Sequence, residues 1–349
     1  MKLLSLAVAL ASAVPAFSVS VWDYSQCQPG ATATTTATAP SSSSSLCAGT
    51  RTTFAYFGVN ESGAEFGNAV VPGQLGKDYT WPSPSSVDYF MGAGFNTFRI
   101  PFLMERMSPP TRAGWAGRST RPHNFMIYNG ATISSTSTFQ AWWQQLAAEF
   151  ASDSHVIFDL QNEPHDIPAA TVFDLMQAGV NGVRAAGATS QLILVEGTSW
   201  TGAWTWVSSG NSAVFGAIQD PHNNVAILLE RGGLTSGHAE MHQYLDSDGS
   251  GTSETCVSST IGAERLQAAT QWLQANNLKG FLGEIGAGSN AACIAAVQGA
   301  LCEMQQSGVW LGALWWAAGP WWGDYYQSIE PPNGTAVAEI LPQALEPFL

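Results

Sequence analysis

The chain of 349 residues carries 12 Lys+Arg against 26 Asp+Glu, a formal net charge of −14, and only 11% of its residues are charged. With no basic stripe to neutralise phosphates, this balance argues against a nucleic-acid partner and against docking on an anionic membrane surface. The 45% of hydrophobic residues is enough for a large core, and 14 Trp in so uncharged a chain suit a protein that stacks flat, neutral ligands such as sugars.

The chain opens with Met1-Lys2, an apolar run over 3–14 and the small residues Ala16, Ser18 and Ser20. This predicts a signal peptide over 1–20, too short to span a bilayer, and a secreted, extracellular protein whose cysteines meet an oxidising compartment. Residues 31–46 are a Ser/Thr/Pro linker. The ten residues between, 21–30, read VWDYSQCQPG and cannot bury a core of their own. They resemble the end of a fungal family-1 cellulose-binding module, which implies a truncated, unstructured remnant in which Cys27 lacks its partner.

From residue 47 to 349, apolar strand candidates alternate with helical periodicity. The strands are read at 54–59, 96–102, 156–160, 192–196, 280–284 and 311–317, with a broken one between 225 and 244. Helices are read at 86–93, 138–151, 169–185, 263–275, 291–306 and 336–345. Strands apolar on both faces and alternating with helices predict an α/β fold, a (β/α)8 TIM barrel. No GxGxxG opens a helix, so a dinucleotide site has no support.

In such a barrel the chemistry sits at the C-terminal ends of the strands. Those ends carry Arg99, Asn162-Glu163-Pro164-His165, His242-Gln243-Tyr244, Gly283-Glu284 and Trp315-Trp316. One carboxylate there is readily a buried ion-pair partner. Two, ringed by Arg, His, Tyr and Trp, are what glycoside hydrolysis requires: one acid to protonate the leaving oxygen, one nucleophile to attack the anomeric carbon.

The runs Asn162-Glu163-Pro164, His242-x-Tyr244, Gly283-Glu284 and WWAAGPWWGDY over 315–325, with GVNESGAEFG over 58–67 and LDSDGSGTS over 245–253, resemble the fungal endo-β-1,4-glucanases of glycoside hydrolase family 5. The resemblance spans roughly 47–349. It implies a retaining endo-β-1,4-glucanase that cuts cellulose with Glu163 as general acid/base and Glu284 as nucleophile, and the neighbouring Glu284 carboxylate is expected to raise the pKa of Glu163. It further implies that Asn162 bonds the sugar 2-OH, that Arg99 and Tyr244 hold Glu284 ionised, that His123 and His242 line the cleft and that Trp316 is a sugar platform. Trp204, Trp206, Trp321 and Trp322 read equally as further platforms or as rim packing. No cofactor or metal is implied, the partner is a β-glucan polysaccharide and a monomer is expected. A β-mannanase would share barrel and glutamates; a catalytically impaired sugar-binding protein is the alternative from another class.

The resemblance also implies a Cys256–Cys293 disulfide; Cys47 and Cys302 are candidates for a second, which spacing alone cannot fix. His238-x-x-x-His242 has metal-ligand spacing only on a helix, whereas its surroundings read as strand. Asp246-x-Asp248 resembles the start of a calcium loop but lacks the carboxylate at position twelve, where Val257 stands. Asn60-Glu61-Ser62 and Asn333-Gly334-Thr335 are glycosylation sequons.

Two stretches depart from the expected pattern. Between 103 and 137 there is no apolar run where the resemblance calls for a helix and strand three, and only Pro122-His123-Asn124 survives of the expected strand end. Residues 228–239 read as an insertion splitting strand six. Together these predict a barrel with strands two and four left as open edges, in an unstable splice variant, with the segment around His123 as a poor substitute strand.

Overall fold

The computed structural model describes residues 20–23, 46–103, 106, 127–128, 131–222 and 238–349. Eight strands close a barrel in the order β1(Ser20–Asp23), β3(Thr97–Ile100), β2(Tyr56–Glu61), β10(Trp310–Ala318), β9(Lys279–Gly286), β8(His238–Tyr244), β7(Ile193–Glu196), β6(Val156–Asp159). All neighbouring pairs are parallel except those made by β1. A two-stranded hairpin, β4(Ile127–Tyr128) and β5(Ala131–Thr132), stands apart. The (β/α)8 reading holds for the parallel strands.

The open edges do not occur. β1 lies antiparallel between β3 and β6, Ser20 opposite Ile100 and Phe158, Asp23 opposite Thr97. The slot for strand three is thus filled from upstream, by Ser20, the last residue of the expected signal peptide, and by residues 21–23 of the expected unstructured remnant. A four-residue strand needs only two exposed ladders to pair with, and a barrel lacking one strand offers both. His123, the expected substitute, and Cys27 lie outside the described residues. At the other irregular stretch, His238 and Ala239 belong to β8: Ala239 pairs with Val195 and Gly280. The strand therefore begins two residues inside the segment read as an insertion, the rest of which lies outside the described residues.

The helices follow from the sequence locally. α1(Pro84–Ala93) starts on a proline that needs no N–H partner and stops at Gly94, whose φ of 111° suits only glycine. In α2(Thr136–Phe150) the Ser135 side chain caps the Thr138 N–H, and Phe139, Trp142, Trp143 and Leu146 face the core. α2 packs against α3(Ala169–Ala185) at Gly182, where a Cβ would lie 2.3 Å from the Gln140 carbonyl oxygen. After the short α4(Asn211–Val214), α5(Ile261–Ala275) and α6(Ala291–Ser307) cover β8 to β10. The helix predicted at 336–345 shrinks to a turn over Leu341–Leu345, since Pro342 offers no N–H to a preceding turn. Both disulfides form: Cys256–Cys293, and Cys47–Cys302, which ties the domain's start to α6. Among the described residues no helix is long and apolar enough to cross a membrane.

Period-two alternation builds two layers. Val156, Phe158, Ile193 and Val195 pack outward under the helices, while Ile157, Leu194, Phe281 and Leu314 fill the barrel axis. One dyad further along the same inward rows stand Asp159 and Glu196. The apolar plug thus gives way to charged groups towards the C-terminal end of the barrel, where the site is built.

Near this end Ser86 Oγ lies 3.1 Å from Glu61 Oε1 and 2.8 Å from Glu330 Oε2. Burial, and then the Glu330 charge, push the Glu61 carboxyl from 4.5 up to about 8. A raised folded-state pKa adds stability that is complete below the ordinary value of 4.5 and is lost as pH rises through about 8. Glu61→Gln should therefore flatten the alkaline fall in Tm, as melts between about pH 5 and 9 would record; an equally steep fall in both proteins would contradict a neutral Glu61.

Candidate active site

Arg99, at the end of β3, is fully buried and is the cation around which the site is assembled. Its Nη1 donates to Glu284 Oε1 at 2.6 Å and to Asn60 Oδ1 at 2.9 Å. Nη2 donates to Asn162 Oδ1 at 2.8 Å and to Glu196 Oε1 at 3.3 Å, and Nε to Asp159 Oδ2 at 3.0 Å. Glu240 Oε1 stands 3.5 Å from Nε. Asn60 also donates its amide to the carbonyls of Gly283 and Trp315, so the sequon at Asn60 is spent inside the barrel and carries no glycan in the folded chain, whereas Asn333 is exposed. Gly283 is required for packing: a Cβ there would lie 1.7 Å from Glu240 Oε1.

Glu163 and Glu284 come together as the sequence predicts. A carboxylate oxygen of each and a ring nitrogen of His242 all lie within 4.8 Å of one another. His242 Nδ1 is 2.7 Å from Glu163 Oε1 and 3.6 Å from Glu284 Oε2. The Tyr244 hydroxyl donates to Glu284 Oε2. That tyrosine is braced from two sides: Arg265 Nη1 of α5 donates to the Tyr244 carbonyl at 2.6 Å, and in the loop after β8 a Cβ on Gly251 would strike its ring. The Asp246 carboxylate accepts the N–H groups of Gly251, Thr252 and Ser253 at 3.1 Å each, so it folds the loop with its own backbone.

The two glutamates sit in different environments. Burial pushes Glu163 up to about 7, against the lowering pull of Arg99 and His165. The cause is desolvation rather than the Glu284 charge expected from the sequence, because Glu163 lies in the low-dielectric mouth while Arg99 offsets Glu284. Glu284 is raised by burial and then by the Glu163 charge, while Arg99 and the Tyr244 hydrogen bond favour its charged form. Burial drives His242 down to about 3, so its ring is neutral. Beneath them, burial first and then neighbouring carboxylates hold Glu196 and Glu240 well above the carboxylate range. Glu163–His242–Glu284 and Glu196–Glu240–His242 are the residues close enough to share a cation among those described, and Arg99 already supplies positive charge at four of the surrounding acids.

The aromatics divide. Trp316, near the end of β10, is half-buried and meets Trp322 edge-on at 5.8 Å, and Trp322 stacks on Tyr325 at 4.4 Å. Trp321 is exposed. Trp204 is exposed under the Arg265 guanidinium, but Trp206 is fully buried against Phe215 and Trp272 and is no platform. Sequence reading missed Trp200, an exposed indole stacked on His165 at 4.5 Å. It stands in a left-handed turn, Ser199, Trp200 and Thr201 all having φ between 47° and 58°, pinned by the Trp200 N–H on the Pro164 carbonyl. The sequence reading also assigns no role to Asp159 and Glu196, which end β6 and β7, or to Glu240, which stands inside β8.

The profile of the cellulase family, glycosyl hydrolase family 5, matches residues 113–320. Endo-beta-1,4-glucanase B of Emericella nidulans is 48% identical over 321 residues, 86% of this chain and 93% of that protein. Endoglucanase gh5-1 of Neurospora crassa is 46% identical over 349 residues, 91% of this chain and 85% of that protein. The structure of XacCel5A in complex with cellopentaose superposes with a TM-score of 0.74 at 36% identity, covering 85% of this chain and 99% of that one. A parallel barrel that gathers two glutamates around one buried arginine, with relatives alike over nearly its whole length, makes this chain a glycoside hydrolase belonging to the cellulase family, glycosyl hydrolase family 5.

Proposed function

We propose that the protein is a secreted endo-β-1,4-glucanase that retains anomeric configuration, working by double displacement. The observation that carries this is the approach of the two carboxyl groups: oxygens of Glu163 and Glu284 within 4.8 Å leave no room for the water that inverting enzymes hold between groups about 6.5–9.5 Å apart. Glu284 attacks the anomeric carbon while Glu163, neutral below about 7, protonates the leaving oxygen. The glycosyl–Glu284 ester is then hydrolysed by water that gives its proton to Glu163. Arg99 and Tyr244 stabilise the carboxylate that leaves on hydrolysis. Asn162, fixed by Arg99, presents its amide to the sugar 2-OH, and Trp316 supports the ring beside the scissile bond. The cellopentaose bound by XacCel5A and the names of the fungal relatives favour β-1,4-glucan over mannan as substrate. The protein should hydrolyse carboxymethylcellulose faster than β-mannan, and a 2-deoxy-2-fluoro cellobioside should label Glu284. Faster mannan hydrolysis would make it a mannanase, and label on another carboxylate would displace Glu284 as nucleophile.

A further inference from the structure

Glu196 closes β7 at the floor of the site and is fully buried. Its two oxygens divide between two tasks. Oε2 accepts the main-chain N–H of Glu163 at 2.5 Å. Oε1 takes Arg99 Nη2 at 3.3 Å, and lies 3.7 Å from His242 Nε2, as Glu240 Oε1 does. The other nitrogen of that ring, Nδ1, is the one 2.7 Å from Glu163 Oε1. Glu163 itself has φ of 46°, in the left-handed region that non-glycine residues seldom occupy. A residue held there needs its backbone fixed from outside, and the Glu196 carboxyl supplies that bond. Asp159 and Glu240, the other buried acids of the floor, meet Arg99, and no bond ties either of them to the Glu163 main chain among the contacts of the described residues. Glu284 is held by Arg99 Nη1 and the Tyr244 hydroxyl, and Glu196 reaches it only through the other Arg99 nitrogen, Nη2.

We propose that Glu196 is a positioning residue for the acid step: it holds the Glu163 main chain in its unusual conformation, so that the proton is aimed at the leaving oxygen. The proposal rests on the assignment of Glu163 as the general acid. It makes a prediction that a purely structural role does not. A displaced acid slows cleavage of substrates whose leaving group needs a proton, but not of substrates whose leaving group departs unaided, because attack by Glu284 is untouched.

The test compares Glu196→Ala, Glu196→Gln and Glu163→Ala with the parent on cellotetraose and on 2,4-dinitrophenyl β-cellobioside, using the rate of the glycosylation step on each. Glu196→Ala should lose about 10- to 100-fold in kcat/KM on cellotetraose, the scale of a misplacement near 1 Å, mostly in kcat, and be nearly unchanged on the activated substrate. Glu196→Gln keeps an oxygen for the Glu163 N–H and should recover part of the loss. An equal loss on both substrates, no loss on either in a folded variant, or failure of both Glu196 variants to melt cooperatively would overturn the proposal, the last by making Glu196 a residue of the fold alone. If Glu163→Ala itself lacks the leaving-group dependence, the acid assignment is what fails.

Discussion

Glu163→Gln should turn over soluble β-glucan about 10²–10⁴ times more slowly than the parent, the usual contribution of a general acid, and Glu284→Gln should lose at least as much. The pH dependence carries the sharper test. The working form has Glu163 protonated, and burial sets its pKa at about 7. The kcat/KM of the parent should therefore fall above about pH 7, by nearly tenfold per unit once the group is ionised. His242, driven down to about 3, is neutral across this range and adds no limb of its own. In Glu163→Gln the residual activity should show no alkaline limb near 7, since the amide does not titrate. An alkaline limb that persists in that variant would mean another group supplies the proton.

Proline at Val21, opposite Arg99 in the β1–β3 ladder, together with proline at Trp22 should lower the midpoint of thermal unfolding by about 3–6 °C and promote aggregation. β1 is paired on both sides, so neither proline finds a position where its missing N–H faces water. Each leaves a partner carbonyl on β3 or β6 without its donor, at about 1–3 kcal/mol where that group is buried. Ile157 and Phe158 of β6 and Phe98 and Ile100 of β3, all buried, would then lie along unpaired edges. Melts and light scattering of the double variant check this. An unchanged midpoint would show that the barrel does not depend on β1 and would restore the open-edged molecule expected from the sequence.

The parallel strands and both catalytic glutamates are legible in the sequence because the same rule produces them. A short apolar run sets the strand, and a polar residue directly after it falls at the end where the barrel opens. Arg99, Glu163 and Glu284 obey that rule and were found by it. Glu196 and Asp159 obey it too, but in the sequence they fall within the strands read at 192–196 and 156–160 and do not stand out as an inward row of their own. Trp204 and Trp206 look alike in sequence; only the turn that follows β7 sends one outward and the other onto Phe215. Trp200 was missed because three successive left-handed residues leave no compositional mark when none is glycine. β1 was missed for a different reason. Ser-Val-Trp-Asp has no local pattern long enough to declare a strand, and its partners at Ile100 and Phe158 lie far along the chain. What makes it a strand is a vacancy elsewhere, a property of the whole barrel.

That vacancy makes the molecule a receptor and its own ligand. β1 joins the rest of the barrel covalently only through residues 24–45, much of it the Ser/Thr/Pro linker, while Cys47 is anchored to Cys302 at the linker's far end. While the linker is whole, docking is intramolecular, and β1 faces its slot at an effective concentration on the order of millimolar. Cut once within the linker, the segment that carries β1 becomes a separate peptide, and the closed state follows ordinary mass action. Dilution would then open a barrel that concentration closes, and strands would exchange between molecules. The covalent continuity of a polar tether is in this sense part of the enzyme's stability.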